Sequence, residues 1–104
     1  MGTYNKTIII GRLASNPEFA DSGNGKMRAS FSVINHEVHN GQTSQSFHRI
    51  VANGKQAKLC YDYLKKGDLC CIEGKLSTEN SHVVIVAEQV VFLSPKKSNE
   101  QGEV

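Results

Sequence analysis

A chain of 104 residues has room for one domain around a single core and excludes a second. With 38% hydrophobic and 21% charged residues it is too apolar for wholesale disorder, and no apolar run approaches the roughly 18 to 20 residues of a membrane-spanning helix. Lys and Arg number 12 against 10 Asp and Glu, a net charge of +2, so any basic character comes from placement rather than excess. The cysteines, Cys60, Cys70 and Cys71, are odd in number, follow no secretory leader, and include an adjacent pair that leaves a strand on opposite faces. That pattern argues against a disulfide framework and for a reducing, cytoplasmic setting.

In chain order, residues 3–13 are dominated by β-branched side chains and predict a first strand, with Gly11 marking an internal bulge or bend. Asn16-Pro17 and then residues 21–25 read as loop and turn. Met27, Ala29, Phe31 and Val33 alternate with more polar neighbours and predict a second strand. Residues 37–46 read as a polar connection containing the hairpin signal Asn40-Gly41. A third strand follows over 47–53, with Phe47, Arg49, Val51 and Asn53 on one face and His48, Ile50 and Ala52 on the other.

Beyond Gly54 the period changes. Ala57, Cys60, Tyr61 and Leu64 fall at helical spacing, with Gly67 placed as a carboxy-terminal cap and Lys65 and Lys66 in a last turn where they favour the helix dipole. Residues 69–76 predict a fourth strand with Gly74 inside it, Asn80-Ser81 a tight turn, and residues 82–93 a fifth strand bent near Glu88-Gln89. The expected architecture is all-β with one short helix. A five-stranded Greek-key barrel with the helix at one end fits this order, although periodicity alone does not separate it from a sandwich. The domain spans 1–93, and 94–104 form a short polar mobile tail.

Four blocks make a resemblance specific: residues 5–13 followed by Asn16-Pro17-Glu18, residues 47–51 with Gly54-Lys55, residues 63–68, and residues 73–76. In their order and near-spacing the chain resembles the bacterial single-stranded DNA-binding protein family over residues 5–93. The resemblance implies an OB-fold barrel, usually a homotetramer, that coats single-stranded DNA without sequence specificity in replication, recombination and repair.

Such binding needs aromatic faces for bases and cations for phosphates. Phe47 and Arg49, two apart on one strand face, supply one of each within about 7 Å. Phe47 has a second reading, as a core residue. Lys6, Arg12, Lys55, Lys65, Lys66 and Lys75 fall on or beside positions where family members are often basic. Each taken singly is also a plain surface charge, and for Lys65 and Lys66 helix capping is explanation enough. If about five cations meet phosphates, log affinity falls against log salt with a slope of roughly −3 to −4. The resemblance also places His48 at a contact between subunits, with Ile8 and Ile10 assigned to the same interface.

The departures are as informative. Val38 and His39 stand where the family carries tryptophan, Phe47 where tryptophan is common, and Asn53 where an aromatic is frequent. Asn53 and His39 remain candidates for the DNA face, in the places of those larger rings. The hairpin between the fourth and fifth strands is cut to about 77–81, and residues 99–104 lack the usual acidic recruitment tip. An alternative reading is a primosomal-type interaction module that binds DNA weakly and acts through replisome or helicase partners. His36 and His39 form an H-x-x-H pair that no cysteine or carboxylate cluster completes, and no nucleophile, base and orienting group assemble. No metal, cofactor or enzymatic activity is expected, and no membrane partner. The expected partners are single-stranded DNA, further copies of the chain, and replication or repair proteins, in the cytoplasm at the nucleoid.

Overall fold

The structure, a computed structural model, describes residues 2–94. Beyond Ser94, the expected tail lies outside the described residues. The elements in order are β1 (Thr7–Leu13), β2 (Glu18–Asp21), β3 (Met27–His39), β4 (Gln42–Asn53), α1 (Lys55–Tyr63), β5 (Leu69–Glu79) and β6 (His82–Phe92). Neighbouring strands run β1-β5-β6-β4-β3, and an additional β1–β3 pairing closes these five into a barrel. That is the expected OB-fold, with β2 as an extra strand along β3.

Composition hides β2 because it is only four residues long, Glu-Phe-Ala-Asp, half of them acidic, and follows a proline. It forms on an edge of β3 that β1 leaves vacant: Leu13 faces Val33, and further along the same strand Glu18 faces Ser30. Phe19 secures it, stacking on Tyr61 of α1 with ring centroids 4.9 Å apart.

Two tight turns set the register of the longest ladders. Asn40 and Gly41 have φ of 52° and 76°, and Asn80 and Ser81 have 51° and 68°, the left-handed pairs that a two-residue hairpin turn requires. In such a hairpin, each residue counted back from the turn faces the one counted equally far forward. The β3–β4 ladder accordingly runs from His39↔Gln42 to Arg28↔Asn53. Most of the polar stretch 37–46 is therefore strand rather than connection, because pairing propagates outward from the turn even where the arm buries little. The β5–β6 ladder likewise includes residues 77–79 and slips once, where Glu73 faces Gln89 and Gly74 faces Ala87, leaving Glu88 as the extra residue at the expected bend.

Phe31, Val33, Leu13, Ile50 and Ile72 fill the barrel, and Ala57 and Cys60 of α1, with Leu64 just beyond it, complete the same core. The two internal glycines sit where strands cross closely. A methyl group on Gly11 would meet Ile34 O and come within 2.7 Å of Val33 Cγ1, and one on Gly74 would meet Val86 O.

The helix ends earlier than its sequence suggests. Leu64 is already extended (φ −100°, ψ 142°), its N–H closing on Cys60 O at 3.0 Å. Gly67, at φ 92°, is not a helix cap but the third residue of a turn in which Asp68 N donates to Lys65 O (3.0 Å). The Asp68 carboxylate accepts from Lys65 N at 2.9 Å. Lys65 and Lys66 therefore lie beyond the helix, and its last turn holds no basic residue to meet the dipole.

Candidate nucleic-acid interface

Directly paired residues share a face, so register alone assembles a surface on the outside of β2, β3 and β4. One row is Ala20, Arg28 and Asn53, the next Glu18, Ser30 and Val51, the next Ser32 and Arg49, and the last Arg12, Ile34 and Phe47. Phe47 is 63% exposed, which removes its reading as a core residue. Arg12 lies two strand spacings from it, roughly 10 Å. Val51 keeps the outward phase that alternation gives it but is buried at 2% exposure, because it forms part of the wall beneath the β5–β6 hairpin.

Between that surface and the hairpin lies an open groove of about 540 Å³, lined by Arg28, Ser30, Arg49 and Val51 on one side and by Glu79, Asn80 and residues 82–84 on the other. Arg49 Nη2 donates to Ser30 Oγ at 3.1 Å and stands 3.9 Å from the Glu18 carboxylate. Arg28 Nη2 pairs with Glu79 Oε1 across the groove. The arrangement offers guanidinium groups for phosphate oxygens and an apolar floor and an exposed ring for bases.

The structure brings only some of the expected residues together. Phe47, Arg49, Asn53 and Arg12 share the rows above, and Lys55 follows Asn53 around the Gly54 corner. Lys75 faces Val86, which pairs with Val51, so it lies two strand spacings from the groove wall. Lys6 is instead tied to Glu73 (3.5 Å), and Lys65 and Lys66 occupy the turn after α1, where Lys66 N donates to Asn16 Oδ1 (2.8 Å). His39 sits exposed beside the β3–β4 turn, at the far end of the arm. Arg12 also donates to Gly67 O at 2.9 Å, so part of its hydrogen-bonding capacity is already used.

His48 faces Val33 on the inner phase of β4 and is half-buried, its Nε2 3.1 Å from Asn35 Oδ1. Ile8 and Ile10 lie on the outer phase of β1, 58% and 56% exposed. Because β1 meets β3 only at Arg12 and Leu13, the edge from Thr7 to Ile10 opposite β5 has no partner strand among the described residues.

Sequence reasoning missed Arg28, Ser30, Glu79 and His82. A signal was available for the first two: Arg28 and Ser30 are out of phase with Met27, Ala29 and Phe31, and counting outward from Asn40-Gly41 sets Arg28 opposite Asn53. In the core, burial pushes the Cys60 thiol up to about 11. Burial, with Cys60, Cys71 and Asp68 nearby, takes the Cys70 thiol to about 12. Both thiols are therefore neutral and packed in the physiological range. Among the described residues, no group of three His, Cys, Asp or Glu is placed to hold a metal ion, and no helix is long and apolar enough to cross a membrane.

A sequence model of the single-strand binding protein family matches residues 4–93. The chain belongs to this family. A single-stranded DNA-binding protein of Staphylococcus aureus (strain MRSA252) is 34% identical over 108 aligned residues, covering 92% of this chain and 69% of that protein. One from Halalkalibacterium halodurans is also 34% identical, covering 94% of this chain and 66% of its own length. Among solved structures, a Plasmodium falciparum SSB complex with ssDNA superposes with a TM-score of 0.79 at 24% identity, covering 90% of this chain and 98% of the other. At that identity the likeness is one of fold, and it agrees with the barrel described above. This member of the single-strand binding protein family thus places an exposed aromatic and three arginines, Arg12, Arg28 and Arg49, on one side of its barrel.

Proposed function

We propose that the chain binds single-stranded DNA without sequence preference, through the outer surface of β3 and β4 and the groove beside it, in replication, recombination and repair. The observation that carries this reading is Phe47, an aromatic ring 63% exposed with Arg49 two residues away on the same strand face. A base stacked on such a ring contributes about 1–3 kcal/mol, and the neighbouring guanidinium meets the phosphate that follows. Arg12, Arg28, Asn53, Lys55 and Lys75 extend the track; Lys6, Lys65, Lys66 and His39 lie at its margins and contribute less. The names of the curated relatives support DNA binding over the primosomal-type reading.

The same reading makes the protein a homo-oligomer, a tetramer by family pattern, with Ile8, Ile10 and the open edge of β1 as the contact and His48, carried over from the family pattern, as a further contact residue. Replication and repair proteins are its further partners, at the nucleoid in the cytoplasm. The test is fluorescence anisotropy of a labelled oligothymidine, suited to a chain without tryptophan. Saturable binding at micromolar or lower concentration is expected in low salt, weakening with a log–log slope of roughly −3 to −4. Absence of saturable binding in low salt overturns the reading.

A further inference from the structure

Both arginines of the groove already have protein groups where phosphate oxygens would sit, but the two are held differently. Arg49 is held by a neutral hydroxyl, Ser30 Oγ at 3.1 Å, and only loosely by Glu18, whose side chain is 82% exposed and 3.9 Å away. Arg28 is held by a carboxylate in direct contact, Glu79 Oε1. That carboxylate comes from the tip of the β5–β6 hairpin, far along the chain, and its placement is dictated by local geometry: the left-handed Asn80-Ser81 turn fixes Glu79 opposite His82. The ion pair spans from hairpin to β3 across the groove, whose apolar lining includes Val51 on one side and Val83 and Val84 on the other. Its two side chains are 47% and 34% exposed, so solvent screens the contact only in part.

We propose that Glu79 is a built-in competitor for the backbone phosphate at Arg28. With no strand bound it latches the hairpin onto β3. A bound strand takes Arg28 by exchanging one anion for another, and Glu79 is released with its charge uncompensated beside the polyanion. Glu79 therefore sets affinity, lowering it below what Arg28 alone would give, and Arg49 is the guanidinium that the strand meets without such an exchange. The inference rests on the groove being the DNA site proposed above.

The test uses the full chain, labelled oligothymidine in low salt, and four variants. Glu79→Gln keeps the shape and hydrogen bonding of the hairpin tip but removes its charge, and tightens binding about two- to fivefold, the scale of a partly exposed ion pair. In an Arg28→Gln background the same substitution gives little gain, because the competition needs Arg28. Asp62→Asn, which removes a carboxylate paired with Lys58 on the helix, serves as the control for net charge and leaves affinity unchanged. An equal gain from Glu79→Gln with and without Arg28, or the same gain from Asp62→Asn, reduces the effect to general repulsion and overturns the latch. No gain from Glu79→Gln while the unaltered chain binds saturably also overturns it, leaving the DNA reading intact. If neither the unaltered chain nor Glu79→Gln binds, both readings fall together.

Discussion

The outer surface of β3 and β4 and the outer surface of β1 belong to one barrel, and both expose large apolar side chains. They differ in what surrounds them. Around Phe47 lie guanidinium groups and hydroxyls, whereas Ile8 and Ile10 stand on a strand edge that has no partner strand among the described residues, between Lys6, matched by Glu73, and Arg12, which donates to Gly67 O. A ring among cations suits a base and its phosphate, and an aliphatic pair along an open edge suits another strand. The lesson is that exposure alone does not assign a surface; charge and free hydrogen-bonding capacity beside it do.

The sharpest way to break this division is at β1. Ile8→Asp with Ile10→Asp puts two carboxylates on the open edge without touching the core. Self-association is expected to weaken by more than about a hundredfold, on the scale of losing two buried aliphatic contacts and adding like charges. Sedimentation velocity reads the loss, and circular dichroism should show an unchanged fold. A double variant with the same sedimentation coefficient as the unaltered chain would place the subunit contact elsewhere.

Phe47→Ala is the matching change on the other surface, and its effect is smaller. Removing one stacking ring is expected to weaken oligothymidine binding by roughly ten- to a hundredfold, with little change in thermal midpoint since the ring is mostly in solvent. Its oligomeric state should stay that of the unaltered chain. If the variant instead melts much earlier at unchanged affinity, the ring serves packing and the two surfaces are not divided as described.

How much of this could be read beforehand depended on which physics governed each part. The core phase of the second and third strands followed from alternation, whereas the element order with Gly11 and Gly74 fitted a barrel and a sandwich alike, and the family resemblance chose the barrel. Alternation also put Phe47 and Arg49 on one face, but that this face points outward at Phe47 came from the resemblance and then from its exposure. Residues 18–21 and 37–46 were not, because their pairing derives from an available edge and from a turn's propagated register rather than from hydrophobic pattern. Lys65 and Lys66 misled because a glycine after two lysines looks like a helix end, while the chain uses it in a separate turn. Glu79 was invisible because its contact with Arg28 crosses between two hairpins, and each hairpin's own register says nothing of how one folds over the other.

The smallest expected effect tests what both surfaces share, the core beneath them. Cys60 and Cys70 are buried, with thiols raised from 9.0 to about 11 and about 12. The folded state keeps these protons to higher pH than the unfolded chain does, so their contribution to stability is complete below pH 9 and is lost as pH rises toward 11 and 12. Each pH unit in that window costs on the order of 1 kcal/mol per thiol. Between pH 8.5 and 10 the thermal midpoint is expected to fall by roughly 5 °C or more, a size suited to a domain of this length. Cys70→Ala should start less stable yet show a shallower fall, since it has one fewer thiol to ionise. DNA binding and self-association should fail together as the core loosens, although the substitutions above separate them. A pH dependence equally steep in Cys70→Ala would assign the loss to other groups, and failure of one surface well before the other would mean that they do not depend on one cooperative unit.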